Sequence, residues 1–244
     1  MPQSAYSVFE YESLPSTQDE AKRLLASGVH PPYVVIAKHQ TAGRGRSGRS
    51  WMSLPHNLQC TVVLSSDIRT RDAGQYAFVV AVAVAQTISQ FGVQDVQLKW
   101  PNDVLLNGKK IAGILLESDI DPCGKLTHLF VGIGINVGSS PDGAIALKDV
   151  LSVCPEPHDV LISLCKTLDA TLKDLYQSGF ALIRKKWLSH AYGLGMPLRI
   201  RLPQRSFEGI FLDIAEDGSL LVQAKDDVAP QRVYTGDVFF GEIE

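Results

Sequence analysis

The hydrophobic and polar positions of this chain alternate between a period of two, typical of strands, and a period near 3.6, typical of helices. Strand-like stretches cover residues 8–12, 33–38, 58–64, 96–100 and 129–136. Helix-like stretches cover residues 16–28, 73–91 and 160–176, and a further helix with Trp187 follows Gly179. The pattern predicts a sheet with helices packed against it.

Two local signals fix the boundaries of elements. Ser16 and Thr17 stand where a helix begins, with acidic residues three positions on, and such hydroxyl side chains cap helix N-termini. Asn107-Gly108 separates the apolar runs 104–106 and 111–116. This dipeptide suits a two-residue turn with positive φ, so it predicts a tight hairpin.

The spacing of hydrophobic and turn residues changes after Gly193-Leu194-Gly195. Short strand-like stretches, separated by turn residues, then cover residues 196–202, 207–214, 220–224, 231–234 and 238–240. This spacing is typical of a small β-barrel. We therefore predict two domains, residues 1–192 and 193–244.

Composition and charge exclude several classes of protein. The chain has 244 residues, 45% of them hydrophobic, and a net charge of 23 − 26 = −3, which argues against a wholly basic nucleic-acid or membrane binder. The longest apolar run, residues 77–88, is too short and too rich in alanine to span a bilayer. Four cysteines without metal-ligand spacing and a start without a signal sequence predict a reduced, cytoplasmic protein.

One segment, which we call the Gly/Arg loop (residues 39–51), holds three glycines, three arginines and Trp51 between two predicted strands. Its glycine spacing resembles both a dinucleotide fingerprint and a P-loop, but each of those motifs needs a helix directly after the glycines, and residues 51–57 contain a proline and no helical period. Guanidinium groups would instead hold the phosphates. The alternative is a solvated basic turn.

Three further segments remain ambiguous on their own. Residues 99–103, Lys-Trp-Pro-Asn-Asp, suit a nucleotide or metal site, or simply an Asx turn. Lys110 after the hairpin is either solvated or aimed into a cleft. Gly132 and Gly134 leave space along a strand for a ligand or for a packed side chain.

Together and in this order, these segments closely resemble the biotin protein ligases, from about Val8 to the C-terminus. The resemblance implies an α+β fold: a mixed sheet with helices, of the class II aminoacyl-tRNA synthetase and biotin ligase type, followed by a small SH3-like β-barrel. It also implies a ligase that activates biotin as biotinyl-5'-AMP with ATP and Mg²⁺. The biotinyl group would then pass to a lysine of a biotin carboxyl carrier protein, of acetyl-CoA carboxylase or a related carboxylase.

The resemblance also implies roles for individual residues. Catalysis is expected of Arg44, Arg46 and Lys110. Biotin is expected to contact Ser16, Thr17, Gln40, Arg44, Gly45, Arg46, Lys110, Gly113 and Gly132. ATP is expected to contact Arg46, Arg49, Trp51, Lys99, Asn102, Asp103 and Asn136. Asp103 is the expected magnesium ligand.

Two features qualify the resemblance. Gln18 stands where many relatives have asparagine, which puts in doubt any role that the family gives to this position. Fifteen residues precede Ser16, too few for the helix-turn-helix domain of the repressor-type ligases, so we expect no DNA binding. A homodimer that pairs its sheets across a two-fold axis is compatible with the sequence.

Two other functions are weighed against this one. A lipoate ligase or octanoyltransferase shares the catalytic fold, but those proteins lack the Gly/Arg loop as a set. A non-catalytic nucleic-acid-binding module would use the basic loop and the barrel. The near-neutral charge argues against it.

Overall fold

The computed structural model describes residues 6–65, 70–123, 125–224 and 227–240. In these residues a first sheet is formed by β1 Ser7–Leu14, β2 Tyr33–Gln40, β3 Leu58–Ser65, β4 Val96–Lys99, β5 Asp103–Leu106, β6 Lys109–Ile120 and β7 Leu126–Ile135. The spatial order is β1-β2-β3-β7-β6-β5-β4, and only the pair β1–β2 is parallel. The sheet is therefore mixed, as predicted.

Helices cover both faces of this sheet: α1 Thr17–Ala26, α2 Gln75–Gln90, α3 Pro157–Ser178 and α4 Phe180–Leu188. On one face, residues of α1 pack with Tyr33, Val35, Val63 and Phe130 in a small cluster. On the other face, α2 to α4 form the main core, and α2 is buried along most of its length. The apolar stretch 73–91 is thus a core helix, as its composition predicts.

A second, antiparallel sheet follows in the described residues, formed by β8 Pro197–Arg201, β9 Ser206–Ile214, β10 Leu220–Ala224, β11 Gln231–Val233 and β12 Asp237–Phe240. It packs on α4, where Trp187 stands edge-on between Phe78 and Phe211. The predicted boundary at residue 193 falls in the connection between α4 and β8, and the domain division stays a prediction.

The local signals read from the sequence are confirmed. Ser16 caps α1, with its Oγ accepting from the backbone N–H of Gln18 at 3.2 Å. Asn107 and Gly108 have φ of 51° and 72°, as a tight hairpin turn between β5 and β6 requires. None of the helices in the described ranges is both long and apolar enough to cross a membrane.

Candidate active site

A cleft of about 300 Å³ opens between the Gly/Arg loop, the first sheet and the second sheet. It brings together most of the predicted site residues: Ser16, Thr17, Gln40, Arg44, Gly45, Arg46, Arg49, Trp51, Lys99, Asn102, Asp103, Lys110, Gly113 and Gly132. These residues come from segments that are far apart in the chain, so the cleft is a product of the fold. The Asn102-Asp103 segment reaches it because β4 and β5 are neighbours at the edge of the sheet.

The Gly/Arg loop folds back on itself as a short, irregular hairpin. The N–H of Gly45 donates to the carbonyl of Arg49 at 2.7 Å, and the N–H of Trp51 donates to the carbonyl of Gly43 at 2.9 Å. A single 3-10 turn spans Arg46–Gly48, and Arg49 is extended. In the described chain the next regular element after the glycines is strand β3 and not an α-helix, so the P-loop and dinucleotide interpretations fail.

The three arginines of the loop have different surroundings. Arg44 pairs with Asp19 at 2.7 Å and with Glu117 at 3.1 Å, and the hydrogen bond with Asp19 raises the pKa of the guanidinium. Arg49 pairs with Asp237 of β12. Arg44 and Arg49 therefore pair with residues of three other elements, α1, β6 and β12, and the loop is not a solvated basic turn.

Arg46 is the arginine whose described hydrogen-bond partners are neutral. Its guanidinium donates to Asn102 Oδ1 at 3.2 Å and to Thr235 Oγ1 at 3.4 Å. Burial lowers the pKa of this guanidinium, although an arginine stays charged at any working pH. Its charge is directed into the cleft, where an anionic ligand would compensate it.

Two lysines and two carboxylates share the cleft with Arg46. Lys110 Nζ pairs with Asp103 Oδ1 at 2.5 Å. Burial lowers the pKa of the Lys99 ammonium, because a desolvated cation is less stable than a hydrated one. In the described chain, the lysines and arginines that line the cleft outnumber its two carboxylates, Asp103 and Asp237, which favours an anionic ligand.

The predicted biotin residues at the start of α1 form a neutral polar wall. The N–H and hydroxyl of Thr17 donate to Gln40 Oε1 at 2.8 Å and 3.2 Å, and Thr17 Oγ1 also shares a hydrogen bond with Thr61 Oγ1 at 2.8 Å. Ser16 and Thr17 are buried. These fixed orientations suit recognition of an uncharged polar ring.

The glycines of β6 and β7 make room for side chains of the cleft. A Cβ on Gly134 would lie 2.3 Å from the indole of Trp51, and one on Gly132 would lie 2.5 Å from Gln18 Nε2. A Cβ on Gly113 would lie 3.0 Å from the same indole. The side chains of Trp51 and Gln18 therefore pack against these glycines, and a ligand contact at Gly132 stays a prediction.

One predicted residue lies elsewhere. Asn136 is buried and is not among the residues that line the cleft. Its Nδ2 donates to the carbonyls of Ile145 at 3.2 Å and Lys110 at 3.4 Å. In this arrangement Asn136 holds the backbone that carries Lys110, and its contact with ATP stays a prediction.

The sequence did not predict that the second sheet lines one side of the cleft. Arg201, Asp237, Val238 and Phe239 of the second sheet line it. Gln18 of α1 and Cys60 of β3 also line the cleft, and burial raises the pKa of the Cys60 thiol. No sequence motif marks the residues of the second sheet, because long-range packing brings them to the cleft.

The donor set for a metal is small. Within the described ranges, no group of three or more His, Cys, Asp or Glu side chains is placed to hold a metal ion. Asp103 nevertheless lies on the cleft beside the cations. One carboxylate fits Mg²⁺, which is commonly bound by one or two carboxylates together with substrate phosphates.

Comparisons with known proteins agree with this geometry. The chain matches the models of the biotin/lipoate A/B protein ligase family over residues 10–136 and of the biotin protein ligase C-terminal domain over residues 193–241. It is 35% identical to the biotin–[acetyl-CoA-carboxylase] ligase of Paracoccus denitrificans, covering 93% of this chain and 97% of that protein. The bifunctional ligase/repressor BirA of Bacillus subtilis is 32% identical, with coverage of 95% and 73%.

The fold has a solved counterpart. The biotin protein ligase from Aquifex aeolicus in complex with biotin and ATP superposes with a TM-score of 0.82, at 25% identity, covering 97% of this chain and 99% of that one. The matches span both sheets and all segments that form the cleft.

Proposed function

The chain belongs to the biotin protein ligases, a part of the biotin/lipoate A/B protein ligase family, and from this we propose how its cleft works. The protein is an ATP-dependent ligase that activates biotin as biotinyl-5'-AMP and transfers it to a protein lysine. The observation that carries the assignment to this cleft is the juxtaposition of a neutral polar wall, at Thr17 and Gln40, with the cations Arg46, Lys99 and Lys110.

The first step joins two anions. A biotin carboxylate oxygen attacks the α-phosphorus of ATP, the bond from that phosphorus to the bridging oxygen breaks, and pyrophosphate leaves. Cations fixed in advance lower the repulsion and stabilise the charge that spreads over the phosphoryl oxygens. Arg46 and Lys110 are the groups proposed for this task, because they lie in the cleft between the two walls. Arg44 lines the same cleft and is held in place by ion pairs with Asp19 and Glu117.

Biotin is proposed to lie against the start of α1. Ser16, Thr17 and Gln40 would hydrogen-bond its ring, and Gly45, Gly113 and Gly132 would offer backbone contacts, with the carboxylate directed toward Arg46 and Lys110. Thr17 is buried and donates two hydrogen bonds to Gln40, which supports a wall that is rigid before the ligand binds.

ATP is proposed to occupy the other half of the cleft. Arg49, Lys99 and Asn102 would contact it, with Trp51 against adenine, and Asn136 would act from behind Lys110. Asp103 is the residue that would hold Mg²⁺, which neutralises phosphate charge when bound. The chain's own residues supply the remaining charge.

The second step needs no strong nucleophile from this chain. The amine of the acceptor lysine attacks the carboxyl carbon of the mixed anhydride, an amide forms, and AMP leaves. We propose a biotin carboxyl carrier protein as acceptor, because two of the relatives are biotin–[acetyl-CoA-carboxylase] ligases. The homodimer, the cytoplasmic location and the absence of DNA binding stay predictions.

The experiment that tests this function is ATP–pyrophosphate exchange with the full chain. Exchange should require biotin, and lipoate or octanoate should not replace it. Exchange with lipoate but not with biotin would overturn the proposal in favour of the lipoate ligase. Exchange in the absence of any added acid would show that ATP reacts without biotin, which also contradicts the proposal.

A further inference from the structure

Gln18, the second residue of α1, holds a polar atom that the fold leaves unmatched. Its side chain is buried, at 4% exposure. The amide nitrogen donates to the carbonyl of Leu115 at 3.0 Å, whereas Oε1 is buried without a hydrogen-bond partner in the described chain. A buried polar atom without a partner is costly, so such atoms are rare and call for an explanation.

The orientation of this amide is set by its surroundings. The carbonyl of Leu115 is an acceptor, so the nitrogen of Gln18 must face it and the oxygen must face away. The donors of the neighbouring Thr17 are already used, since its N–H and hydroxyl both donate to Gln40. The fold thus leaves Gln18 Oε1 as a free acceptor.

This acceptor belongs to the wall assigned to biotin. Gln18 lines the cleft beside Ser16 and Thr17, and its amide occupies the space above Gly132. The cations that would attract phosphates come instead from β4, β6 and the Gly/Arg loop. A ligand donor at this wall is therefore a ring N–H rather than the amino group of adenine.

We propose that Gln18 Oε1 accepts a hydrogen bond from one N–H of the ureido ring of biotin, and that this contact selects biotin over acids without such a donor. The inference rests on the proposed function of the cleft. A site built to hydrogen-bond a substrate N–H rejects an analogue that lacks it, because the buried acceptor is then left unpaired. The dithiolane ring of lipoate and the alkyl chain of octanoate carry no N–H, so Gln18 discriminates against both.

The test pairs a protein change with a ligand change. The variant Gln18→Met keeps the length of the side chain and removes the acceptor. The ligands are biotin and its two cyclic carbamate analogues, in each of which one ring N–H is replaced by oxygen. The matched control is Gln177→Leu, on the exposed side of α3. Calorimetry gives the Kd of each ligand, and thermal unfolding of the ligand-free chain reports folding.

Wild-type protein should bind one carbamate isomer at least tenfold more weakly than biotin, because oxygen then faces oxygen. Gln18→Met should weaken biotin about tenfold and change the affinity for that isomer less than twofold, while Gln177→Leu changes neither. If Gln18→Met weakened the binding of biotin and of both isomers equally, the proposal would be overturned. Gln18 would then act only by holding the backbone of Leu115.

Two further outcomes keep the test decisive. If Gln18→Met does not fold, the wild-type arm still decides, because equal binding of biotin and both isomers by the wild type contradicts the contact. Failure of the proposed function has a different signature, since wild-type protein would then bind none of the three ligands.

Discussion

Arg49 of the Gly/Arg loop and Asp237 of β12 form an ion pair, although 188 positions separate them in the chain. Asp237 also pairs with Arg201 at 3.3 Å, and Arg46 of the same loop donates to Thr235 at 3.4 Å. The second sheet therefore holds the loop that carries the proposed ATP contacts. Its residues also line the candidate site directly.

Asp237→Asn should weaken ATP about five- to tenfold and leave biotin unchanged, because Arg49 loses the partner that orients it. The pair is partly exposed, so the free energy of unfolding should fall by less than about 1 kcal/mol. Calorimetry with each ligand measures the effect. Glu208→Gln, which removes an exposed pair with Arg199 on the same sheet, is the matched control and should change neither affinity. Equal weakening of biotin would contradict the separation of the two walls.

The pH dependence of that contact follows from the pKa of Asp237, which the hydrogen bond from Arg49 lowers below its ordinary value. A carboxylate with a lowered pKa is fully ionised at every pH above its ordinary pKa. Its stabilising contribution is lost only as the pH falls through the lowered pKa. The Arg49–Asp237 pair should therefore be constant from mildly acidic to alkaline pH. Any alkaline loss of ATP binding must have another origin.

Lys99 is the expected origin of that alkaline loss. Burial lowers the pKa of its ammonium, with Lys110 acting in the same direction and Asp103 and Asp237 opposing it. As the pH rises, Lys99 should lose its proton before an exposed lysine does. The value of kcat/KM for ATP, which reports the free enzyme, should fall at alkaline pH. In Lys99→Arg this fall should move to higher pH, and an unchanged profile would exclude Lys99.

Arg46→Ala should lower biotinyl-AMP formation by about 10²- to 10³-fold, the range found when a single preorganised donor is removed from an active site. The melting temperature should change little, because Arg46 makes only two long hydrogen bonds in the described chain. Single-turnover adenylate formation and thermal unfolding measure the two effects. Arg232→Ala, at an exposed pair with Asp217, controls for the loss of a charge. Parallel losses of activity and stability would argue for a structural role.

Much of this molecule was predictable because it is encoded locally. Ser16 caps its own helix, and Asn107-Gly108 builds its own turn. The arginines and glycines of the Gly/Arg loop predict an anion site, because guanidinium groups bind phosphates in many proteins, and this role stays a prediction. The strand bounds differ from the prediction mainly at their ends, where pairing with a neighbour rather than local pattern decides.

Other features depended on long-range packing and could not be read from the sequence. The contact of Arg49 with Asp237 depends on how the second sheet packs against the first part of the chain, for example through the ring contact of Trp187 with Phe211. The position of Asn136 behind the cleft follows from the path of the backbone after β7, to which no local motif points. In the sequence, Gln18 is only a departure from the family pattern. The role proposed for it depends on its buried and unpaired oxygen, which only the structure reveals.

Trp51→Ala should weaken ATP far more than biotin if the indole stacks against adenine, as proposed. Base–aromatic stacking contributes about 1–3 kcal/mol per base, which corresponds to roughly five- to 150-fold in Kd. Trp51→Phe should restore most of the affinity, because it keeps an aromatic face. Calorimetric titration with each ligand provides the measurement. Comparable weakening of both would instead place the indole, which also lies against Gly113, at the junction of the two ligands.

Gly134→Ala tests whether the position of this indole matters. The added methyl group would lie 2.3 Å from the ring of Trp51, so the ring must move, whereas the backbone at Gly134 is extended in β7 and accepts alanine. We expect a fall in ATP affinity close to that of Trp51→Ala, a shift in tryptophan fluorescence, and a stability loss of about 1–3 kcal/mol from overpacking. Gly74→Ala, where the methyl group meets no atom within 4 Å, is the matched control. In the double variant Gly134→Ala/Trp51→Ala the losses of ATP affinity should not add, because both changes remove the same contact. Additive losses would show that Gly134 acts on ATP without Trp51.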